Sequence, residues 1–185
     1  MIVRDYYKIE GELYAEAASY AERSKAYTSN RHDFHDGGLD NKQKKMLEGK
    51  LGEKAVKLLF LDNGVSFEED NTACDQRDEY DFLLVNDQQK LKVDVKTRTE
   101  YFHTRTLEMV EQAKNHPKDV FISVRLYKRS NTVKLLGWFT YADMIAKNQI
   151  ENNGYLDNYV MYDKDLRPIS TLERDLLCRF MPCSK

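Results

Sequence analysis

The stretch DEYDFLLVNDQQKLKVDVKT, residues 78–97, constrains the fold more than any other part of the sequence. Two apolar runs flank the polar segment NDQQ, a pattern typical of a β-hairpin with strands over 79–86 and 89–97. A turn centred on Asp87-Gln88 sets Asn86 opposite Gln89, and this pairing fixes the register of both strands. The sequence therefore predicts which side chains face each other across the hairpin.

Counting outward in this register places Asp81 directly opposite Asp94, with Lys96 two residues further along on the same face. Directly opposed side chains have Cβ atoms roughly 4.5–5.5 Å apart, so two carboxylates repel unless a cation or a proton lies between them. Oxygen ligands of this kind suit Mg²⁺, which takes one or two carboxylates and keeps its other positions for water or phosphate oxygens. A solvated surface hairpin is the alternative interpretation.

A long helix is predicted over residues 42–62, KQKKMLEGKLGEKAVKLLFLD, with Asn63-Gly64 as its C-terminal stop. One apolar face and a second line of residues recur at helical spacing. The first face is Leu47, Leu51, Ala55, Leu58 and Leu59, and the second line is Met46, Gly49, Glu53, Val56 and Phe60. The first of these is the main apolar face of the helix.

Glu53 is the only charged residue in the second line, which indicates a side chain that points toward the protein. Gly49 and Gly52 each cost roughly 1 kcal/mol relative to Ala in a helix interior, and close packing against a neighbour explains such glycines. The alternative for Glu53 is a surface pair with Lys57 at i,i+4 spacing.

The remaining pattern alternates helices with strands and predicts an α/β domain with a mixed central β-sheet of about five strands flanked by helices. The other predicted helices are 10–25, near 106–115, 141–149 and 170–180. The other predicted strands are SFEE, FISVRLY, TVKLLGWFT and NYVMYD. The helix over 10–25 is an extra element at the N-terminal side of the core.

Composition excludes several classes of protein. The 185 residues are 41% hydrophobic and 32% charged, an ordinary globular balance for one domain. No apolar run approaches the roughly 20 residues of a membrane span, and the N-terminus lacks the apolar centre of a signal peptide. Three cysteines favour a reducing, cytoplasmic location. The spacings His32-x-x-His35 and Cys178-x4-Cys183 do not match a zinc site.

Three segments together resemble the PD-(D/E)xK nuclease superfamily, the restriction-endonuclease-like fold of small phage and prokaryotic nucleases. They are GKLGEKAVKLL on the helix, YDFLLV entering the first strand of the hairpin, and VDVKT on the second strand. The resemblance departs from the usual pattern at Tyr80, where a proline is common, and at Asp94, where glutamate is common. It covers about residues 42–172 as a nuclease-like core within a single domain, 1–185. Residues 1–41 are then an N-terminal helical extension and loop, and 173–185 a C-terminal helix and tail.

The resemblance implies a DNA endonuclease that hydrolyses phosphodiester bonds with Mg²⁺ or Mn²⁺. It implies Asp81, Asp94, the Val95 carbonyl and Glu53 as metal ligands, and Lys96 as the group that orients water and stabilises the transition state. Thr97 is a candidate to assist near the site. Removing Asp81, Asp94 or Lys96 is expected to abolish cleavage and leave folding intact.

Lysines and arginines near this face are the expected contacts to DNA phosphates, since phosphate neutralisation supplies most non-specific affinity. The candidates are Lys50, Lys54, Lys92, Arg98 and Arg105. The formal net charge is only −2, so total charge does not indicate a nucleic-acid binder. The alternatives are a resolvase of branched DNA, an RNA nuclease, and a non-catalytic nucleic-acid-binding protein on the same fold. A homodimer is the simplest way to cut two strands, and no membrane partner is expected.

Overall fold

The computed structural model describes residues 4–24, 39–70, 79–152, 154 and 156–181. His32, His35, Cys74 and Cys183, along with the loop around Gly37-Gly38, lie outside the described residues.

The described part of the chain has nine strands and five α-helices. The strands are β1 (Tyr6–Lys8), β2 (Phe67–Glu69), β3 (Phe82–Val85), β4 (Lys90–Arg98), β5 (Arg105–Met109), β6 (Val120–Tyr127), β7 (Thr132–Thr140), β8 (Ile150–Asn152) and β9 (Asp157–Tyr162). The α-helices are α1 (Gly11–Arg23), α2 (Leu39–Asp62), α3 (Val110–Asn115), α4 (Tyr141–Lys147) and α5 (Ile169–Asp175). Short 3-10 turns cover Asp163–Asp165 and Leu177–Phe180.

The main sheet has six strands in the order β1-β7-β6-β4-β3-β2. Strands β4 and β6 are parallel and all other neighbours are antiparallel, so the sheet is mixed, as predicted. The predicted fold class, α/β with a mixed central sheet, is therefore confirmed. The sixth strand is β1, which has only three residues and no clear alternation in the sequence.

A second sheet of three strands, in the order β5-β9-β8, shares no strand with the main sheet. The segment NYVMYD therefore belongs to a separate sheet. The prediction of a helix near 106–115 is wrong in its first half, because residues 105–109 form β5 and only 110–115 are helical. Leu, Glu and Met favour a helix, but backbone pairing with β9 overrides that local preference.

Helix α2 packs on one face of the main sheet and supplies much of the core. Its buried side chains, Leu51, Ala55, Val56, Leu59 and Phe60, join apolar residues of strands β3, β4, β6 and β7. The ring of Phe60 meets that of Phe82 at 5.3 Å in an edge-to-face contact. The helix ends as predicted, because Gly64 adopts φ +62° and the Val65 amide returns to the Phe60 carbonyl at 2.9 Å.

The opposite face of the main sheet carries a smaller apolar cluster. The rings of Phe121 and Phe139 stack there at 4.8 Å, together with Met144 and residues of β9. In the described part of the chain, no helix is both long enough and apolar enough to cross a lipid bilayer.

Candidate active site

The β3–β4 hairpin has the predicted register. Phe82 pairs with Val93, so Asp81 and Asp94 occupy the next facing positions. The turn is closed by Asn86, whose side chain accepts hydrogen bonds from the amides of Gln88 and Gln89 at 2.8 and 2.7 Å. The short polar turn therefore sets the relative position of the two acids, as the sequence predicts.

Asp81 lies just before β3 and is tied to β4 twice. Its backbone amide donates to the Val93 carbonyl at 3.0 Å, and its Oδ2 accepts from the Val95 amide at 2.6 Å. Burial raises the pKa of Asp81 well above its usual range, and the negative charges of Glu53 and Asp94 raise it further. The positive charge of Lys50 and the Val95 amide offset only part of this. Three carboxylates thus lie close enough to interact, and the site has an excess of negative charge at Asp81.

Asp94 belongs to a buried charge cluster, which we define as Asp94, Lys96, Glu108 and Lys118. Lys96 Nζ lies 2.8 Å from Asp94 Oδ2 and 2.6 Å from Glu108 Oε2. Lys118 Nζ lies 3.4 Å from Asp94 Oδ1 and 3.5 Å from Glu108 Oε1. The side chains of Glu108 and Lys118 are each only 2% exposed. The two acids and two lysines alternate, so each charge has two opposite neighbours.

This alternation keeps Asp94 ionised and Lys96 protonated. Burial raises the pKa of Asp94, but the charges of Lys96 and Lys118 outweigh it, so its pKa falls below the usual value. Burial lowers the pKa of Lys96, but Asp94 and Glu108 outweigh it, so its pKa lies above the usual value. The two facing aspartates therefore have opposite shifts, with Asp81 the more readily protonated. Environments that separate neighbouring carboxylates in this way are typical of catalytic sites.

Glu53 points into the protein from α2, with 18% of its side chain exposed. It pairs with Lys50 at 2.7 Å, and the Lys50 ammonium also lies 4.2 Å from the centre of the Tyr20 ring on α1. The alternative pair of Glu53 with Lys57 is not the arrangement in the structure, since Lys57 contacts Glu69 and Glu16. Glu53 therefore lies with Asp81 rather than on the outer surface of the helix.

An acidic cavity of about 480 Å³ opens beside Asp81 and Glu53. Helices α1 and α2 form much of its wall, which carries six carboxylates and three cationic side chains. The carboxylates are Glu12, Glu16, Glu53, Glu69, Asp70 and Asp81, and the cations are Arg23, Lys50 and Lys54. A cavity with this charge balance attracts cations.

A basic cavity of about 640 Å³ lies between β4 and β5 and contains Lys96 and Val95 in its wall. Its other lining residues are Thr97, Arg98, Phe102, His103, Thr104, Arg105, Thr106 and Leu107. Among the described residues, none of those lining this cavity is a carboxylate. The predicted site thus has an acidic cavity on the Asp81 side and a basic cavity on the Lys96 side.

The five predicted phosphate contacts all pair with carboxylates. Lys50 pairs with Glu53, Lys54 with Glu16 and Glu69, Lys92 with Glu79, Arg98 with Asp163, and Arg105 with Glu151. Lys50 and Lys54 line the acidic cavity, whereas Arg98 and Arg105 line the basic one. Contact of these side chains with DNA stays a prediction.

Thr97 faces α2 rather than the acids. Its hydroxyl lies 3.4 Å from the Gly49 carbonyl, and the Cα of Gly52 packs against it. A Cβ at Gly52 would lie 1.9 Å from Thr97 Oγ1, so the absence of a side chain permits the approach of α2 to β4. Gly49 has open space instead, so close packing does not explain that glycine.

Glu108 and Lys118 are the charged residues of this site that sequence reasoning missed. The helix prediction over 106–115 hid the alternation of β5, in which Thr106 and Glu108 share a buried face. Thr106 also hydrogen-bonds Ser123 of β6 at 2.8 Å. The signal in the sequence was the alternation within RTLEM. Read as a strand, this segment places Glu108 on the same face as Thr106.

The donor chemistry of the site fits a hard divalent cation. Within the described ranges, no three His, Cys, Asp or Glu side chains converge closely enough to form a complete metal site by themselves. Mg²⁺, however, usually takes only one or two carboxylates and completes its shell with water and substrate oxygens. Burial and the charges of Glu53 and Asp94 raise the pKa of Asp81, so a bound cation would stabilise its ionised form. Asp81 and Asp94 with a backbone carbonyl are suitable oxygen donors.

Comparisons with known proteins give only distant similarities. No protein-family model matches the chain, and no curated protein matches it. Among solved structures it is similar to a bacterial homing endonuclease, with 15% identity over 72% of this chain and 91% of the other and a TM-score of 0.42. It is similar to a nuclease from a fusselovirus, with 12% identity, coverage of 77% and 95%, and a TM-score of 0.40.

A third similar structure is a Holliday junction resolvase from the archaeal hyperthermophile Archaeoglobus fulgidus. The identity is 12%, the coverage is 64% of this chain and 86% of the other, and the TM-score is 0.38. All three similar proteins are nucleases or resolvases.

Proposed function

We propose that this chain is a divalent-metal-dependent DNA endonuclease that hydrolyses phosphodiester bonds at the β3–β4 hairpin. The observation that carries the proposal is the facing pair Asp81 and Asp94, electrostatically coupled to each other and to Glu53. Lys96 lies 2.8 Å from Asp94 on the same strand. Two acids and a lysine thus lie on one face of a single strand pair, and the repulsion at Asp81 favours a bound cation.

Asp81, Asp94 and the Val95 carbonyl are the groups that would hold Mg²⁺ or Mn²⁺, with Glu53 on the α2 side. A bound divalent ion supplies a lowered pKa for an attacking water and charge stabilisation for the phosphate. Lys96 remains protonated, so it is able to donate to a phosphate oxygen as negative charge develops. Glu108 and Lys118 hold the Lys96 ammonium and the Asp94 carboxylate in place.

The proposal is tested by incubating the protein with supercoiled plasmid, linear duplex, single-stranded DNA, a four-way junction and RNA, each with Mg²⁺, Mn²⁺ or EDTA. Wild type is expected to cleave at least one DNA substrate only when the metal is present. Lys96→Ala is expected to lose at least 100-fold in rate, the scale of one lost electrostatic stabiliser. Lys90→Ala is the matched control, because Lys90 is exposed on the same strand and face.

The outcomes separate the alternatives. Cleavage that persists in EDTA, or in Lys96→Ala at the wild-type rate, overturns the assignment of metal and lysine. Preference for the four-way junction identifies a resolvase, and cleavage confined to RNA identifies an RNA nuclease. No cleavage, together with no heat of Mn²⁺ binding in calorimetry, identifies a non-catalytic protein on this fold.

A further inference from the structure

The basic cavity has the size and charge of a site for one nucleotide. Its volume of about 640 Å³ lies within the range of small-ligand pockets. Lys96, Arg98 and Arg105 contribute positive charge, and the described lining residues include no acid. Arg98 and Arg105 are held by Asp163 and Glu151, so their guanidinium groups are fixed in position before any ligand arrives. The wall is therefore suited to a phosphate-bearing ligand.

One exposed aromatic side chain, Phe102, lines this cavity, and a second, Tyr101, precedes it in the chain. Tyr101 is 82% exposed and Phe102 is 61% exposed, on the segment that joins β4 to β5. Tyr101 and His103 meet the Phe102 ring at 89° and 79°, so neither of these neighbours is stacked parallel on it. A flat ring that lines a basic cavity and is 61% exposed is suited to stacking with a nucleobase.

The segment that carries these rings is anchored at its base. The carbonyl of His103 accepts hydrogen bonds from Arg98 Nη1 and Arg125 Nη2, both at 2.9 Å. Glu100 pairs with Lys128 at 2.9 Å. These three contacts, two at His103 and one at Glu100, flank the aromatic pair and hold the segment, which lowers the ordering cost of binding a ligand there.

We propose that the basic cavity binds an unpaired nucleotide beside the scissile phosphate, with its base stacked on Phe102. The faces of a base in intact duplex are covered by its neighbours, so a stacking ring selects single-stranded or branched DNA. The cavity wall contains Lys96, which places the bound nucleotide next to the proposed chemistry. This inference rests on the proposed function for its position in the reaction, but the binding itself is measured separately.

The test uses an oligonucleotide that contains 2-aminopurine, whose fluorescence falls when the base stacks. Binding is measured in EDTA, so that no cleavage occurs, with the same labelled strand alone and in a blunt duplex. Wild type is expected to quench and bind the single strand. Phe102→Ala is expected to weaken that binding by roughly 5- to 100-fold, the range for losing one base–aromatic stack, and to leave duplex binding within about twofold.

Two variants serve as controls. Phe102→Tyr keeps a stacking ring and is expected to bind as wild type does, and Tyr6→Ala removes an exposed aromatic that does not line the cavity. Equal single-strand affinity of wild type and Phe102→Ala overturns the inference. An equal loss on single strand and duplex also overturns it. If wild type binds the single strand but cleaves no substrate, the proposed function is contradicted and the nucleotide site is not. If Phe102→Ala cleaves DNA and binds the single strand as wild type does, the nucleotide site is contradicted and the proposed function is not.

Discussion

At the scale of single residues, Asp81 is held where its charge is unfavourable. Its pKa is raised by burial and by Glu53 and Asp94, so folding favours the neutral acid. The folded protein then binds more protons than the unfolded chain between the ordinary pKa, about 3.9, and the raised value. Stability therefore decreases as pH rises through that window, and without a bound cation the ionised carboxylate destabilises the fold.

Replacing Asp81 with Asn is expected to raise stability and abolish cleavage. The Asn side chain removes the charge and keeps an oxygen to accept from the Val95 amide. In EDTA at pH 7, we expect thermal denaturation followed by circular dichroism to show an increase of a few degrees in Tm, where about 1 kcal/mol corresponds to roughly 2–4 °C. Asp87→Asn at the exposed turn is the control and is expected to leave Tm unchanged. A lower Tm for Asp81→Asn contradicts this account.

Glu108 differs from Asp81 because the positive charges of Lys96 and Lys118 compensate its carboxylate. Glu108→Ala leaves Lys118 buried with Asp94 as its remaining partner, and breaking a buried ion pair from one side costs about 3–5 kcal/mol. Urea denaturation is expected to show a loss of that size. Glu111→Ala, at an exposed position on α3, is the control and is expected to change stability by about 0.5 kcal/mol or less. A loss in Glu108→Ala no larger than that of the control contradicts the role of the cluster.

The buried charge cluster also changes one expectation from the sequence. Asp94 and Lys96 are both ion-paired and largely buried, so removing either one leaves each of its two neighbours with one buried partner instead of two. Such variants are expected to lose stability as well as cleavage, in contrast to the expectation that folding stays intact. Asp81 is the position where loss of cleavage and loss of stability separate.

At the scale of elements, the contact between α2 and β4 decides whether Glu53 reaches Asp81. This contact depends on Gly52, where an added Cβ would meet Thr97 Oγ1 at 1.9 Å and Val124 Cγ2 at 3.0 Å. Both obstacles belong to strands of the main sheet, so α2 has to move away from the sheet to make room. A shift of this kind also moves Glu53, one residue further along the helix.

Gly52→Ala is expected to lower the free energy of unfolding by about 1–3 kcal/mol, the usual cost of overpacking. Gly49→Ala in the same helix is the matched control, because no atom lies within 4 Å of its added Cβ. Gly49→Ala is expected to raise stability by about 0.5–1 kcal/mol through helix propensity. Chemical denaturation of both variants measures the difference, and a second substitution, Thr97→Ala, is expected to restore part of the loss in Gly52→Ala.

At the scale of the whole molecule, the N-terminal residues complete the sheet. Strand β1 pairs with β7 at the edge, and α1 packs against α2 and forms part of the acidic cavity. Tyr7 and Ile9 are buried in the main core. The division into an extension, a core and a tail stays a prediction, but residues of the first segment share the core with residues of the middle one.

Ionisation of Tyr7 is expected to lower the stability of this core at alkaline pH. Burial, together with the charge of Asp62, raises the pKa of Tyr7 to about 12 from 10.0. The contribution of the neutral hydroxyl to the free energy of unfolding is fully present below pH 10. It is lost as pH rises toward 12, and the loss amounts to about 3 kcal/mol. Tyr7→Phe lacks this ionisation. Urea denaturation at pH 9 and pH 12 is expected to show a smaller decrease for Tyr7→Phe than for wild type, and equal decreases contradict the assignment.

The local sequence pattern was sufficient to predict the β3–β4 hairpin and helix α2. The hairpin register follows from a short turn and a two-residue period, so Asp81 and Asp94 face each other without help from distant residues. Helix α2 and its stop at Gly64 likewise depend on neighbours along the chain. Contacts between distant residues decided the rest. Strand β5 pairs with β9, whose partner residues lie 49 to 57 positions further along the chain, and Glu108 of β5 is buried against Lys96 and Lys118. Burial, and with it every pKa shift at the site, depends on which distant segments exclude water, so only the tertiary structure reveals it.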